Sequence, residues 1–188
     1  MRVTPSASSE YSGIITLTEA KAYLRVDTSA EDSLIGDCLL AATQQIEDMA
    51  NTRLKSVTSA GYIDAFYTTR FPVGPIVSVG SVQYKKQGQP STYTTLPTTQ
   101  WYATVQGVEA RISFVNPPAL EPDCLDRVKI NFDYGYDNSQ HMRPRQFKQA
   151  ILMLTLHYYD NRSPVSHTGK PVAVPMSVTS LVSTFRQL

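Results

Sequence analysis

The side chains best suited to chemistry are three histidines, His141, His157 and His167, and two cysteines, Cys38 and Cys124. Their spacing decides what they can do. No CxxC, HExxH or mixed Cys/His grouping brings two ligands onto one turn or helix face, so no metal centre or thiol redox pair is indicated. Cys38 and Cys124 read as two buried thiols of a reducing cytoplasm. His157, within Leu156-His157-Tyr158-Tyr159-Asp160, reads as a structural helix residue. The sequence has no P-loop, GxGxxG, GxSxG or EF-hand pattern. Serine and threonine are so frequent that a Ser/His/Asp trio can be drawn from almost anywhere, which gives such a trio no weight without geometry. Val82-Gln83-Tyr84-Lys85-Lys86 mixes aromatic and basic residues as nucleic-acid contacts do, but a solvated hairpin accounts for it equally. The expectation is therefore no catalytic residue, no metal and no cofactor. The 11 tyrosines suit sheet packing and protein interfaces.

With no chemistry to position, the elements themselves carry the information. The 188 residues fit one domain, or one domain with a large insertion. A hydrophobic fraction of 41% supports a core, and 18% charged residues rule out a disordered chain. No apolar run approaches the roughly 20 residues of a membrane span, and the polar N-terminus lacks the layout of an export signal. Net charge is only +1, too little for a dedicated nucleic-acid clamp. Its distribution is uneven. Residues 1–52 carry three basic and eight acidic side chains, a net −5, whereas residues 143–188 carry six basic and one acidic, a net +5. Two such ends attract each other, within a subunit or between neighbouring copies.

Thr16-Leu17-Thr18-Glu19 opens the first helix, with Thr16 and Glu19 placed for a capping box. Ser29 is the expected cap of a second, longer helix, and Glu31 and Asp32 in its first turn suit the helix dipole. Leu34, Ile35, Cys38, Leu39, Ala42, Ile46 and Met49 recur at helical spacing, opposite Asp37, Gln44, Glu47 and Asp48. After Asn51 the pattern turns to strands. Short β-branched or aromatic runs at 62–67, 76–84, 101–105, 111–115 and 127–134 are separated by turn-prone Phe71-Pro72-Val73-Gly74-Pro75, Gln87-Gly88-Gln89-Pro90 and Asn116-Pro117-Pro118, predicting an antiparallel meander or small barrel-like sheet.

Helix resumes after Pro144, a residue suited to a first turn. Phe147, Ala150, Ile151, Leu154 and Tyr158 give it a broad apolar surface. Arg143, Arg145 and Lys148 crowd its positive end, where cations are disfavoured by a few tenths of a kcal/mol each, about 0.3 or more. An acidic second helix of a neighbour or a phosphate is the expected counterweight. A loop over 166–171 precedes a last amphipathic segment whose buried residues are expected to be Met176, Leu181, Val182 and Phe185.

In this order the segments resemble a known family. Ile15-Thr16-Leu17-Thr18-Glu19-Ala20-Lys21-Ala22-Tyr23-Leu24-Arg25-Val26-Asp27, then Glu31-Asp32-Ser33-Leu34-Ile35 and a helix ending Ile46-Glu47-Asp48, resemble the opening of head–tail connector (adaptor) proteins of long-tailed bacteriophages and gene-transfer particles. Phe71 to Val79, Val128-Lys129-Ile130-Asn131-Phe132-Asp133-Tyr134-Gly135-Tyr136, Pro144 to Arg162, and Pro175-Met176 through Leu181 to Phe185-Arg186 resemble the later segments of its larger, strand-containing members. The chain departs from the pattern in an extension before Ile14 and in Gly36 and Gly61.

The resemblance implies an α+β fold, a helical bundle formed from both chain ends with an inserted antiparallel β-rich segment. The expected parts are an N-terminal extension over 1–13, a helical core from 14–52 and 143–165, the β-rich insert over 53–142, and a loop with a C-terminal docking helix over 166–188. It implies a non-enzymatic virion protein of the phage neck, assembled in the host cytoplasm without any membrane. Copies would form a homo-oligomeric ring, typically twelvefold, under the portal protein. The ring would extend the channel through which genomic DNA passes without sequence-specific binding, and dock a stopper or tail protein below. Ring contacts between unlike patches are expected to set Glu47 and Asp48 against Arg143, Arg145 or Lys148 of a neighbour. Portal docking is expected from Met176, Leu181, Phe185 and Arg186. The alternatives are another virion subunit (a stopper or tail-completion protein), or a carbohydrate- or nucleic-acid-binding module using the aromatic sheet.

Overall fold

The computed structural model describes residues 1–4, 13–105, 110–136, 144–161 and 175–185. The chain divides into two compact units: 1–7 with 56–141 and 187–188, and 8–55 with 142–186. The second is helical and the first is built of strands, an α+β chain.

In the helical unit, α1 spans Leu17–Leu24 and α2 Asp32–Ala50, while α3 runs Arg145–Asp160 and α4 Met176–Ser183. The capping box read from the sequence is present: Thr16 Oγ1 accepts from the Glu19 amide at 3.2 Å, and the Thr16 amide donates to the Glu19 carboxylate at 3.0 Å. Arg25 and Asn51 end α1 and α2 in the left-handed conformation, each closing the last carbonyls with its own amide. Ser29 does not cap α2. The helix starts two residues later behind Glu31, and Ser29 contributes its carbonyl to the Asp32 amide instead of its hydroxyl.

The stripe of α2 that is buried is Ile35, Leu39, Ala42, Ile46 and Ala50, a 3.6-residue period. It packs with Phe147, Ala150, Ile151 and Leu154 of α3, and α4 lies against both helices. Two buried hydroxyls, Thr43 and Thr155, each return their proton to the carbonyl four residues back at 2.8 Å, so burial strands neither. Within α4, Val178 and Val182 are the buried residues, whereas Leu181 and Phe185 are half-buried and Met176 is 88% exposed. The expected inner face of α4 is thus rotated, and Phe185 rests its ring on Phe147 at 5.2 Å.

The β unit holds β1 (Arg2–Val3), β2 (Val57–Ile63), β3 (Thr69–Arg70), β4 (Ile76–Lys85), β5 (Tyr93–Thr95), β6 (Trp101–Thr104), β7 (Arg111–Phe114) and β8 (Val128–Tyr134). Two antiparallel sheets form, ordered β1-β2-β8-β4-β5 and β3-β7-β6. A simple meander is excluded, because β8 enters between β2 and β4. Its sequence alternates strictly, with Val128, Ile130, Phe132 and Tyr134 buried and Lys129, Asn131 and Asp133 on the other face. A central strand with seven paired residues on one side outcompetes sequential hairpins. Phe132 is in edge contact with Phe71 at 4.9 Å, and Ile112 of the smaller sheet joins the same core.

The strand expected over 62–67 begins five residues earlier and ends four earlier: β2 covers 57–63, and 64–67 leave the sheet. The N-terminal extension contributes β1, whose Val3 faces Gly61. A Cβ on Gly61 would lie 2.8 Å from the Met1 sulfur, so a larger residue there would require the Met1 side chain to shift.

Candidate functional site

The residues the sequence singles out as contacts are mostly charged, and they come first. Lys148, in the first turns of α3, donates to the Glu19 carboxylate at 2.5 Å. Lys148 and then the Thr16 amide hold the Glu19 carboxyl down at about 2. Of the cations at the start of α3, Lys148 is therefore offset by an acid of α1 in the same chain. A second ion pair, Lys21 to Asp32 at 2.5 Å, ties α1 to the start of α2. Tyr159 donates to Glu31 and Tyr158 to Gln45, which fastens the end of α3 to α2. Burial raises the Tyr158 phenol.

Glu47 is fully buried, which corrects its expected place on a ring-facing surface. Its carboxylate accepts the Leu54 amide at 2.7 Å and lies 3.8 Å from the Arg53 guanidinium, longer than a hydrogen bond but within ion-pair range. The Thr52 amide also bonds the Glu47 carbonyl. One glutamate thereby closes the end of α2 and fixes the chain as it leaves toward the β unit. The sequence reading put Glu47 on the polar face of α2; in the structure it lies at the edge of the buried stripe, one turn after buried Thr43.

Asp48 stays outside, its side chain 74% exposed and 3.7 Å from Arg53. With Asp37, Ala41 and Gln44 it forms an exposed stripe along α2 with no basic residue in it. Arg145 is exposed at the start of α3. Of the nine expected contact residues, Arg143 and Arg186 lie outside the described residues. The rest are brought together only in part. Lys148 is committed to Glu19 and Glu47 to the α2 turn, while Phe185 and Leu181 are partly covered by their own helical unit.

Among the described residues no three His, Cys, Asp or Glu side chains group as a metal site, and no helix is long and apolar enough to cross a membrane.

A family model for phage gp6-like head-tail connector proteins matches residues 14–95. The fold is similar over the entire chain to solved chains of gene transfer agent (GTA) particles. One belongs to the virion of a native particle, with 22% identity and a TM-score of 0.75. Another belongs to the neck of an empty particle computed with C6 symmetry, with 21% identity and a TM-score of 0.74. A third belongs to the neck of a native particle computed with C12 symmetry, with 20% identity and a TM-score of 0.70. Each comparison covers 100% of this chain and 96% of the other. No curated protein sequence matches. The resemblance read from the opening helices is thus borne out over 14–95, and the shared fold extends to both units.

Proposed function

We propose that this chain, a phage gp6-like head–tail connector over residues 14–95, is the adaptor subunit of a phage-type neck. The observation that carries this is the family match combined with a fold shared, end to end, with neck chains of gene transfer agent particles. Its role is structural and non-enzymatic. Copies form a closed homo-oligomeric ring, twelvefold by analogy with the C12 neck. The ring sits under the portal protein, continues the DNA channel without reading sequence, and receives a stopper or tail protein below, in a virion assembled in the bacterial cytoplasm.

The ring contact is heterologous, because a rotational ring joins two unlike patches. With Glu47 and Lys148 occupied inside the subunit, Asp48, largely exposed though 3.7 Å from Arg53, and Arg145 of a neighbour are the complementary pair, with Arg143 near Arg145 in sequence. Portal docking falls to α4, whose Met176 projects into solvent and which carries Leu181, and to Phe185 and Arg186 that follow it in sequence. The test is a charge exchange. Asp48→Lys and Arg145→Glu are each expected to prevent ring closure on the portal, and the double variant to restore it at least in part. Two single variants that assemble as wild type remove this contact from the account.

A further inference from the structure

The β unit carries a seat for a short arginine-bearing strand, and the chain's own β1 sits in it. Arg2 stands opposite Tyr62 and Val3 opposite Gly61, and the Thr4 amide extends the register by donating to the Ala60 carbonyl at 2.8 Å. The Ser59 hydroxyl donates to the Thr4 carbonyl at 2.9 Å. The Arg2 guanidinium lies over the Tyr62 ring, 5.5 Å from its centroid, and donates to the Asp126 carboxylate. Asp126 is itself held in place. Its backbone is left-handed, with φ at 55°, and its amide donates to the Asp64 carboxylate at 2.8 Å. Met1 and Val3 add apolar contact with the core of the unit. Ring, carboxylate, apolar floor and strand edge together recognise one particular segment.

The segment is lightly held. Only two residues of β1 pair as strand, and the Arg2 side chain is 71% exposed. Two clefts, of 460 and 400 Å³, each have Arg2, Tyr62 and Asp126 among their walls, so open space borders the strand. Strands this short detach far more often than a whole domain unfolds. Eight residues then lead from Thr4 to Gly13 of the helical unit, a length that spans at most about 30 Å. Every neighbouring copy presents the same seat, and exchange of an identical segment conserves each contact while tying two copies together. A ring holds the neighbour's seat at high effective concentration, so exchange there carries no dilution penalty.

We propose that in the assembled ring β1 leaves its own β unit and adds to β2 of the adjacent copy, so that Arg2 of one subunit lies on Tyr62 and Asp126 of the next. Each copy gives one strand and receives one, a heterologous contact that closes with the ring. The inference rests on the neck reading for the ring, but the exchange itself is read without it.

Disulfide trapping tests it. Directly opposed residues of antiparallel strands have Cα atoms about 4.5–5.5 Å apart, within disulfide reach, so Thr4→Cys and Ala60→Cys are placed to join. Cys38 and Cys124, half-buried rather than buried, are first replaced by serine. A chain carrying only Thr4→Cys and an isotope-labelled chain carrying only Ala60→Cys are mixed, with and without portal, and oxidised. A disulfide between positions 4 and 60 of the two chains forms only when a strand has crossed between copies. It is expected in the portal-bound ring. Arg2→Gln in the donor chain should lower the yield about two- to fivefold, the range of an exposed ion pair, and Arg2→Lys should restore most of it. A glutamine variant that links as fully as wild type overturns the seat. Mixed chains that assemble on portal without linking, while a chain with both cysteines closes on itself there, overturn the exchange and leave the neck reading standing. Linking in concentrated solution by a chain that ignores portal defeats the neck reading and leaves the exchange standing. Chains that neither bind portal nor link overturn both.

Discussion

Replacing Glu47 by alanine tests whether the end of α2 is built as described. The side chain is fully buried, accepts the Leu54 amide at 2.7 Å and faces Arg53, whose own side chain is only 13% exposed. Alanine leaves the Leu54 amide without its carboxylate, at about 1–3 kcal/mol for an unsatisfied buried donor. It also removes the anion beside a mostly buried guanidinium, a change that costs about 3–5 kcal/mol when a buried pair is broken outright. Arg53 keeps Asp48 at 3.7 Å, which softens the second cost. We expect the helical unit to lose about 3 kcal/mol, roughly a hundredfold in its folding equilibrium. Glu47→Gln keeps an acceptor oxygen and should lose about half as much. Urea unfolding followed by the helical circular dichroism signal reads both. A Glu47→Ala variant that loses less than about 1 kcal/mol refutes the buried-turn assignment, and one that stays stable while failing to assemble returns Glu47 to the ring surface.

Glu19 gives a pH prediction. Lys148 and the Thr16 amide lower its folded pKa from the usual 4.5 to about 2. A lowered carboxyl contributes stability that is fully present above the ordinary value and fades as pH falls toward 2. Lys148→Met should return the Glu19 titration, followed by carboxyl NMR, most of the way to the ordinary range, and an unmoved midpoint would defeat the pairing. For α4, Val182→Asp should detach the helix from α2 and α3 and lower the thermal midpoint of the helical unit, whereas Met176→Asp should leave that midpoint unchanged and weaken only portal binding. A stability loss at Met176 as large as that at Val182 would put the exposed face of α4 on the wrong side.

Helix existence was legible because it rests on local rules. Thr16 and Glu19 are three residues apart in sequence, so their capping box follows from the chain alone. The α2 stripe is likewise a matter of period. Strand existence was readable for β4, β6, β7 and β8, whose runs are long or aromatic. It failed for β1, β3 and β5, which are two or three residues long and exist only through their partners. Strand order was not legible either, because β8 reaches its place between β2 and β4 through pairings more than forty residues apart.

The contact surface was the least legible part. Glu47 was read with Asp48 on the polar face of α2, but it stands one turn after buried Thr43 and two after buried Leu39, at the edge of the buried stripe, where the Leu54 amide meets its carboxylate. Lys148 and Glu19 are 129 positions apart, so their pairing needed the packed bundle.

The most direct test of the adaptor role is the mass of the chain, alone and mixed with its portal protein, by light scattering, followed by imaging of the complex. The account predicts that the chain joins the portal as one closed ring with one copy per portal subunit. A chain that remains monomeric and unbound in the presence of portal contradicts it.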